Sequence, residues 1–117
     1  MSKKLVELAY FTADVAGMSD FYQRLLGVDP VAQSREMAIF MVGDTKIFIH
    51  AAYTPGEGEL PPENHAAFEV DNLDVACEAL TAAGVILEVP PQEFYWGRSA
   101  YLRDPEGHLI ELIEAEG

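Results

Sequence analysis

Four residues of this chain, Glu7, His50, His65 and Glu111, each put a metal-ligating or proton-transferring group into an otherwise apolar stretch. Glu111 is the clearest of them. It stands between Leu109, Ile110 and Leu112, Ile113, where a carboxylate is disfavoured unless something pairs with it. Two imidazoles and two carboxylates form a nitrogen and oxygen donor set suited to a divalent transition metal such as zinc, iron, nickel or manganese. Carboxylates offset the cation's charge, neutral histidines supply directional nitrogen donors, and open positions admit a substrate oxygen. The competing reading is of four unrelated polar residues on solvated strand faces, since Glu7 and His65 lie near strand starts.

The elements that would carry these residues follow from periodicity. Leu5 to Thr12 alternates as a strand, with Val6, Leu8 and Tyr10 on one face and Glu7 on the other. Asp14 is expected to cap a helix in which Met18, Phe21, Tyr22 and Leu25 recur at helical spacing and which Gly27 ends. Short strands are expected around Pro30 to Gln33, Met37 to Val42 and Lys46 to Tyr53, with Gly43-Asp44 as the hairpin turn between the last two. The Pro- and Gly-punctuated stretch from Thr54 to Glu63 reads as a connector. The same order then recurs: strand His65 to Val70, cap Asp71, helix Leu73 to Ala83, stop Gly84, and strands at Val85 to Val89, Ser99 to Arg103 and His108 to Glu114. The cap-to-stop interval, Asp14 to Gly27 and Asp71 to Gly84, is the same in both halves, so the chain is expected to be an internal duplication. In each strand the ligand-capable residue points away from the more apolar face, the one a helix would cover, so all four could line one curved surface.

Composition narrows the functions. A chain of 117 residues, half of them hydrophobic, is expected to be a single globular domain over 1–117, with modules at about 4–53 and 64–115 joined by the connector 54–63. Seven basic against 20 acidic residues give a net charge of −13, which repels nucleic acid and anionic membrane surfaces. No apolar run reaches membrane-spanning length and the N-terminus shows no signal-peptide pattern, so a cytoplasmic location is expected. The single Cys77 is expected to be a small core residue.

The stretches FTADVAGMSDFYQRLLGV, HAAFEVDNLDVACEAL and AYLRDPEGHLIELIE resemble the vicinal oxygen chelate superfamily, which includes glyoxalase I, extradiol dioxygenases, methylmalonyl-CoA epimerase and bleomycin-resistance proteins. The resemblance spans nearly the whole chain. It implies an α+β fold of two tandem β-α-β-β-β modules forming a partly open, curved eight-stranded mixed sheet with helices on the outside, and a homodimer. It also implies that the metal ligands fall on Glu7, His50, His65 and Glu111. Two His and two Glu resemble the set of metal-dependent glyoxalase I, but their order differs. Family members more often carry His or Gln at the position of Glu7, and Glu or Gln at that of His50. With Glu7 or His50 displaced, the remainder would approach the facial triad of iron oxygenases.

The expected activity is that of a metal-dependent enzyme on a small oxygenated molecule, a glyoxalase-like lyase or isomerase or a dioxygenase. Glu111 or Glu7 would move a proton while the substrate is chelated through two oxygens. Phe11, Phe48 and Tyr101 are candidates to line a cleft for the substrate, with core packing as the competing account. Phe94, Tyr95 and Trp96 read as an aromatic loop, either a substrate lid or a hydrophobic plug. Arg98 would pair a substrate carboxylate or a surface acid. The other functional class is a metal-free protein that sequesters a cationic or aromatic compound, in the manner of the bleomycin-resistance branch. No chemistry is expected of the Asp104 to Gly107 turn or of His108 beside it.

Overall fold

The computed structural model describes residues 3–116. Its elements are β1 (Lys4–Thr12), α1 (Val15–Leu26), β2 (Ala32–Gln33), β3 (Met37–Val42), β4 (Thr45–Ala51), β5 (His65–Val70), α2 (Leu73–Ala82), β6 (Leu87–Phe94), β7 (Gly97–Arg103) and β8 (Leu109–Glu114). This is the expected α+β pattern, β-α-β-β-β twice over. The chain divides into two compact units, Glu7 to Asn64, and His65 onward together with the stretch up to Val6.

In the first unit the strands run in the order β2-β3-β4-β1, with β1 parallel to β4 and the other neighbours antiparallel. Helix α1 begins where the Asp14 carboxylate accepts the Gly17 N–H at 3.0 Å. It ends at Gly27, whose φ of 71° lies in the left-handed region and whose N–H donates to the Gln23 carbonyl. Val15, Met18, Tyr22 and Leu26 pack on Ala38, Phe40, Ile47 and Ile49. That stripe differs from the expected one: Phe21 and Leu25 are 57% and 62% exposed. Both stripes obey helical spacing, and placing Val15 in the first turn against the sheet rotates residues 21 and 25 out of contact. Since β4 turns Ile47 and Ile49 to the helix, Phe48 and His50 take its opposite face. On β1, Leu8 and Tyr10 face the helix, and Glu7, Ala9 and Phe11 do not.

The second unit repeats the arrangement, with strand order β5-β8-β7-β6 and β5 parallel to β8. Helix α2 is capped by Asn72, whose side chain accepts the Val75 N–H at 3.0 Å, and not by Asp71 as expected. A cap must reach an N–H three residues ahead while Leu73 opens the helix, and Asp71 stands one position too early. The core joins Leu73, Ala76 and Cys77 of α2 to Val70, Ala100 and Leu112 of the sheet. The opposite sheet face therefore holds His65, Ser99, Tyr101 and Glu111.

Strand β6 is longer than expected and absorbs Pro90 and Pro91. It is terminal in the strand order, and its pairing with β7 shifts register on either side of Val89. Prolines, which cannot donate to a ladder, are tolerated at such positions. The expected aromatic loop is thereby reduced to a tight turn: Phe94 pairs with Gly97, and only Tyr95 and Trp96 lie between them. Gly97, at φ 129°, adopts a backbone that side-chain-bearing residues rarely take.

Candidate metal centre

In the second unit the imidazole of His65 and the carboxylate of Glu111 meet, with Nε2 3.1 Å from Oε1 and side chains 11% and 6% exposed. The contact follows from register. β5 and β8 run parallel with His65 opposite Leu109 and Ala67 opposite Glu111, so His65 and Glu111 are diagonal neighbours on one face. The second carboxylate oxygen, Oε2, accepts the Ser99 hydroxyl at 2.7 Å. Ser99 is wholly buried and in turn accepts the Trp96 indole N–H at 3.0 Å. No fully buried side-chain nitrogen or oxygen among the described residues lacks a partner, and Glu111 is met by His65 on one oxygen and by Ser99, itself backed by Trp96, on the other.

Aromatic rings hold this group in place. Trp96 stacks on Phe94 with centroids 4.6 Å apart and planes 1° from parallel, and Tyr95 meets it edge-on at 4.8 Å. Tyr101 pairs opposite Glu111 and lies edge-on to both Phe94 and His65, each at 6.0 Å. Trp96 and Tyr101 thus stand beside the His65–Glu111 pair. Arg98 does not: alternation along β7 puts it on the helix-facing side with Ala100 and Leu102. There its guanidinium donates to Asp74 at 3.1 and 3.3 Å and lies 3.5 Å from Glu114. The hydrogen bond to Asp74 holds Arg98 further into its protonated range. Glu114 also accepts the Leu73 N–H at 2.8 Å, joining this acidic group to the start of α2.

The other candidates lie in the first unit. His50 Nδ1 is 2.8 Å from the Ala51 carbonyl oxygen. A carbonyl only accepts, so Nδ1 carries a proton, and Nε2 is the nitrogen left for a metal. Phe48, Phe11 and Tyr53 surround His50 with ring centroids at 5.6, 5.9 and 6.1 Å. The connector contributes to this cluster, because the Tyr53 hydroxyl donates to the Leu60 carbonyl at 3.1 Å. Asn64, just after it, accepts the Phe11 N–H at 2.8 Å. Glu7, the first residue of this unit, is 3.9 Å from Lys46 Nζ and its side chain is 22% exposed.

Ser99 is the member of the buried polar group around Glu111 that the sequence reading missed. Its signal was parity: Ser99 and Tyr101 share a strand face, and pairing Tyr101 with Glu111 makes Ser99 its diagonal neighbour.

A carboxylate fixed by one oxygen next to an imidazole nitrogen fits a divalent transition metal, and the family model identifies the class. The chain belongs to the Glyoxalase/Bleomycin resistance protein/Dioxygenase superfamily, whose family model matches residues 4–112. It is similar to a probable lactoylglutathione lyase of Vibrio cholerae, with 27% identity across 81% of this chain and 78% of that one. Among solved structures it is similar in fold to a hypothetical protein of Bacillus halodurans, with a TM-score of 0.78, 18% identity and coverage of 100% and 97%. It also resembles methylmalonyl-CoA epimerase of Mycobacterium tuberculosis, with a TM-score of 0.70, 23% identity and coverage of 97% and 89%.

Proposed function

We propose that this protein is a metal-dependent enzyme of the glyoxalase type, acting on a small oxygenated molecule that it binds through two oxygens. In this reading His65 and Glu111 supply two ligands, and Glu7 and His50, the other ligand-capable residues expected from the sequence, complete the set. The observation that carries the reading is the buried His65–Glu111 contact, braced by Ser99. A divalent transition ion bound there would supply Lewis acidity toward the substrate's oxygens.

The chain's own residues divide the remaining work. Glu111 is held through Oε2 by the Ser99 hydroxyl, which suits it to a fixed ligand. Glu7 is the more accessible carboxylate, 22% against 6% exposed, so the proton transfer of a lyase or isomerase step falls to it. His65 is oriented by Tyr101 and His50 by its bond to Ala51. Phe11 and Phe48 flank His50 and, with Trp96 and Tyr101, are assigned to the substrate's apolar part. A homodimer in the cytoplasm that binds no nucleic acid completes the reading, and sedimentation at micromolar concentration tests its oligomeric part.

Metal analysis of the purified protein decides the central claim. About one divalent ion per chain is expected, with loss in His65→Ala and in Glu111→Ala. Unchanged metal content in both variants overturns it. The aromatic ring around His50, with the net charge of −13, favours a second reading, a metal-free sequestering protein for a cationic aromatic compound. Stabilisation by such a compound in a protein that never takes up metal would establish that reading instead.

A further inference from the structure

The indole N–H of Trp96 can only donate, so the Ser99 oxygen that receives it must turn its own proton elsewhere, and Glu111 Oε2 is there at 2.7 Å. Donor and acceptor roles are therefore fixed from Trp96 through Ser99 to Glu111. Glu111 is held by Oε2 and presents Oε1 toward His65 Nε2. The indole of Trp96 is locked by the Phe94 stack with its N–H on a fully buried serine.

We propose that Ser99 and Trp96 are positioning residues of the metal centre: they restrict Glu111 to one ligating oxygen, Oε1, and set its orientation beside His65. This inference rests on the reading of Glu111 as a metal ligand. Ser99 acts through Glu111, and Trp96 acts through Ser99. Partners of this kind, one bond removed from a ligand, commonly change metal affinity by about 10- to 100-fold. Trp96 is the chain's only tryptophan, so its emission reports directly on the series.

The test loads metal-free protein with cobalt(II) at physiological ionic strength, following Trp96 emission and the visible absorption of the bound ion. Wild type is expected to bind one cobalt per chain with a change in emission, and Glu111→Ala is expected to abolish that binding. In Ser99→Ala, Oε2 loses its donor. Affinity should fall by about 10- to 100-fold, and the visible spectrum should shift toward the weaker bands of a higher coordination number. Ser99→Thr, which keeps the hydroxyl, should restore both. Trp96→Phe keeps the stack and removes only the N–H, and should give a smaller loss with the same spectral direction. It also provides the measurement should Ser99→Ala fail to fold. Wild-type affinity with an unchanged spectrum in Ser99→Ala, or in Trp96→Phe where the first is unfolded, overturns the positioning role. Failure of the wild type itself to bind cobalt overturns the metal reading and this inference together. The two failures are distinguished because the second needs no variant.

Discussion

Removing the Ser99 hydroxyl should destabilise the metal-free protein out of proportion to the size of the change. Ser99 is fully buried, and its hydroxyl donates at 2.7 Å to a carboxylate whose side chain is 6% exposed. A hydrogen bond to a charged group contributes about 1.5–3 kcal/mol, and at this depth water cannot replace the missing donor. The Trp96 N–H also loses its acceptor, but that ring is only partly buried and solvent can compensate. Ser99→Ala is thus expected to lower unfolding stability by about 2–3 kcal/mol. For a chain of this size, that corresponds to a fall in Tm of about 8–12 °C. Urea denaturation of metal-free protein, followed by far-UV circular dichroism, measures it. Ser99→Thr should stay within about 1 kcal/mol of wild type, the residual being strain from the added methyl. A loss below about 1 kcal/mol in Ser99→Ala would refute the argument, because it would mean that Glu111 is solvated or neutral and needs no donor.

Other consequences are narrower. Gly27→Ala should cost about 1 kcal/mol in denaturant unfolding, and solely through the backbone: φ is 71°, and an added Cβ would touch nothing within 4 Å. Cys77 is 4% exposed, and burial first and then Asp74 push its thiol pKa up. Ellman's reagent should therefore leave it unmodified in native protein and titrate one thiol once denaturant is added. The carboxyl of Asp104 is held below its ordinary value of 3.8, first by the backbone N–H and then by the side chain of His108. A carboxylate with a lowered folded-state pKa stabilises the protein above its unfolded value, and the contribution disappears as pH falls through the folded one. Asp104→Asn should accordingly be less stable than wild type at neutral pH, with the difference closing below about pH 3.8 in pH-dependent melts.

Much of this molecule was legible in its sequence because strand and helix periods are local properties. A period of two places Glu7, His50, His65 and Glu111 opposite their strands' apolar neighbours whatever the strands later pair with. The Asp14 cap and the Gly27 stop act within one helical turn, so they read directly from residue type. The repeat of the β-α-β-β-β order followed from the same signals, and the family resemblance implied the α+β class. Two features needed tertiary contacts. Which of two helical stripes is buried depended on the seating of Val15 against the sheet, and this left Phe21 and Leu25 exposed. Pro90 and Pro91 looked like the end of a strand, but irregular pairing with β7 carries the chain past them and turns an expected loop into a hairpin.

The candidate site shows the same boundary. Residue types and parity identified the histidines and carboxylates, and His65 and Glu111 were found together. Their meeting depended on the parallel register of β5 and β8, which no local signal records. Ser99 became the brace on Glu111, and Arg98 became the partner of Asp74, through a single alternation along β7. From sequence alone, Arg98 was a candidate for the site and Ser99 was not. The sequence by itself determined what each strand could offer to a metal. The fold determined which offers coincide, because a diagonal contact is a property of two strands and is encoded in neither.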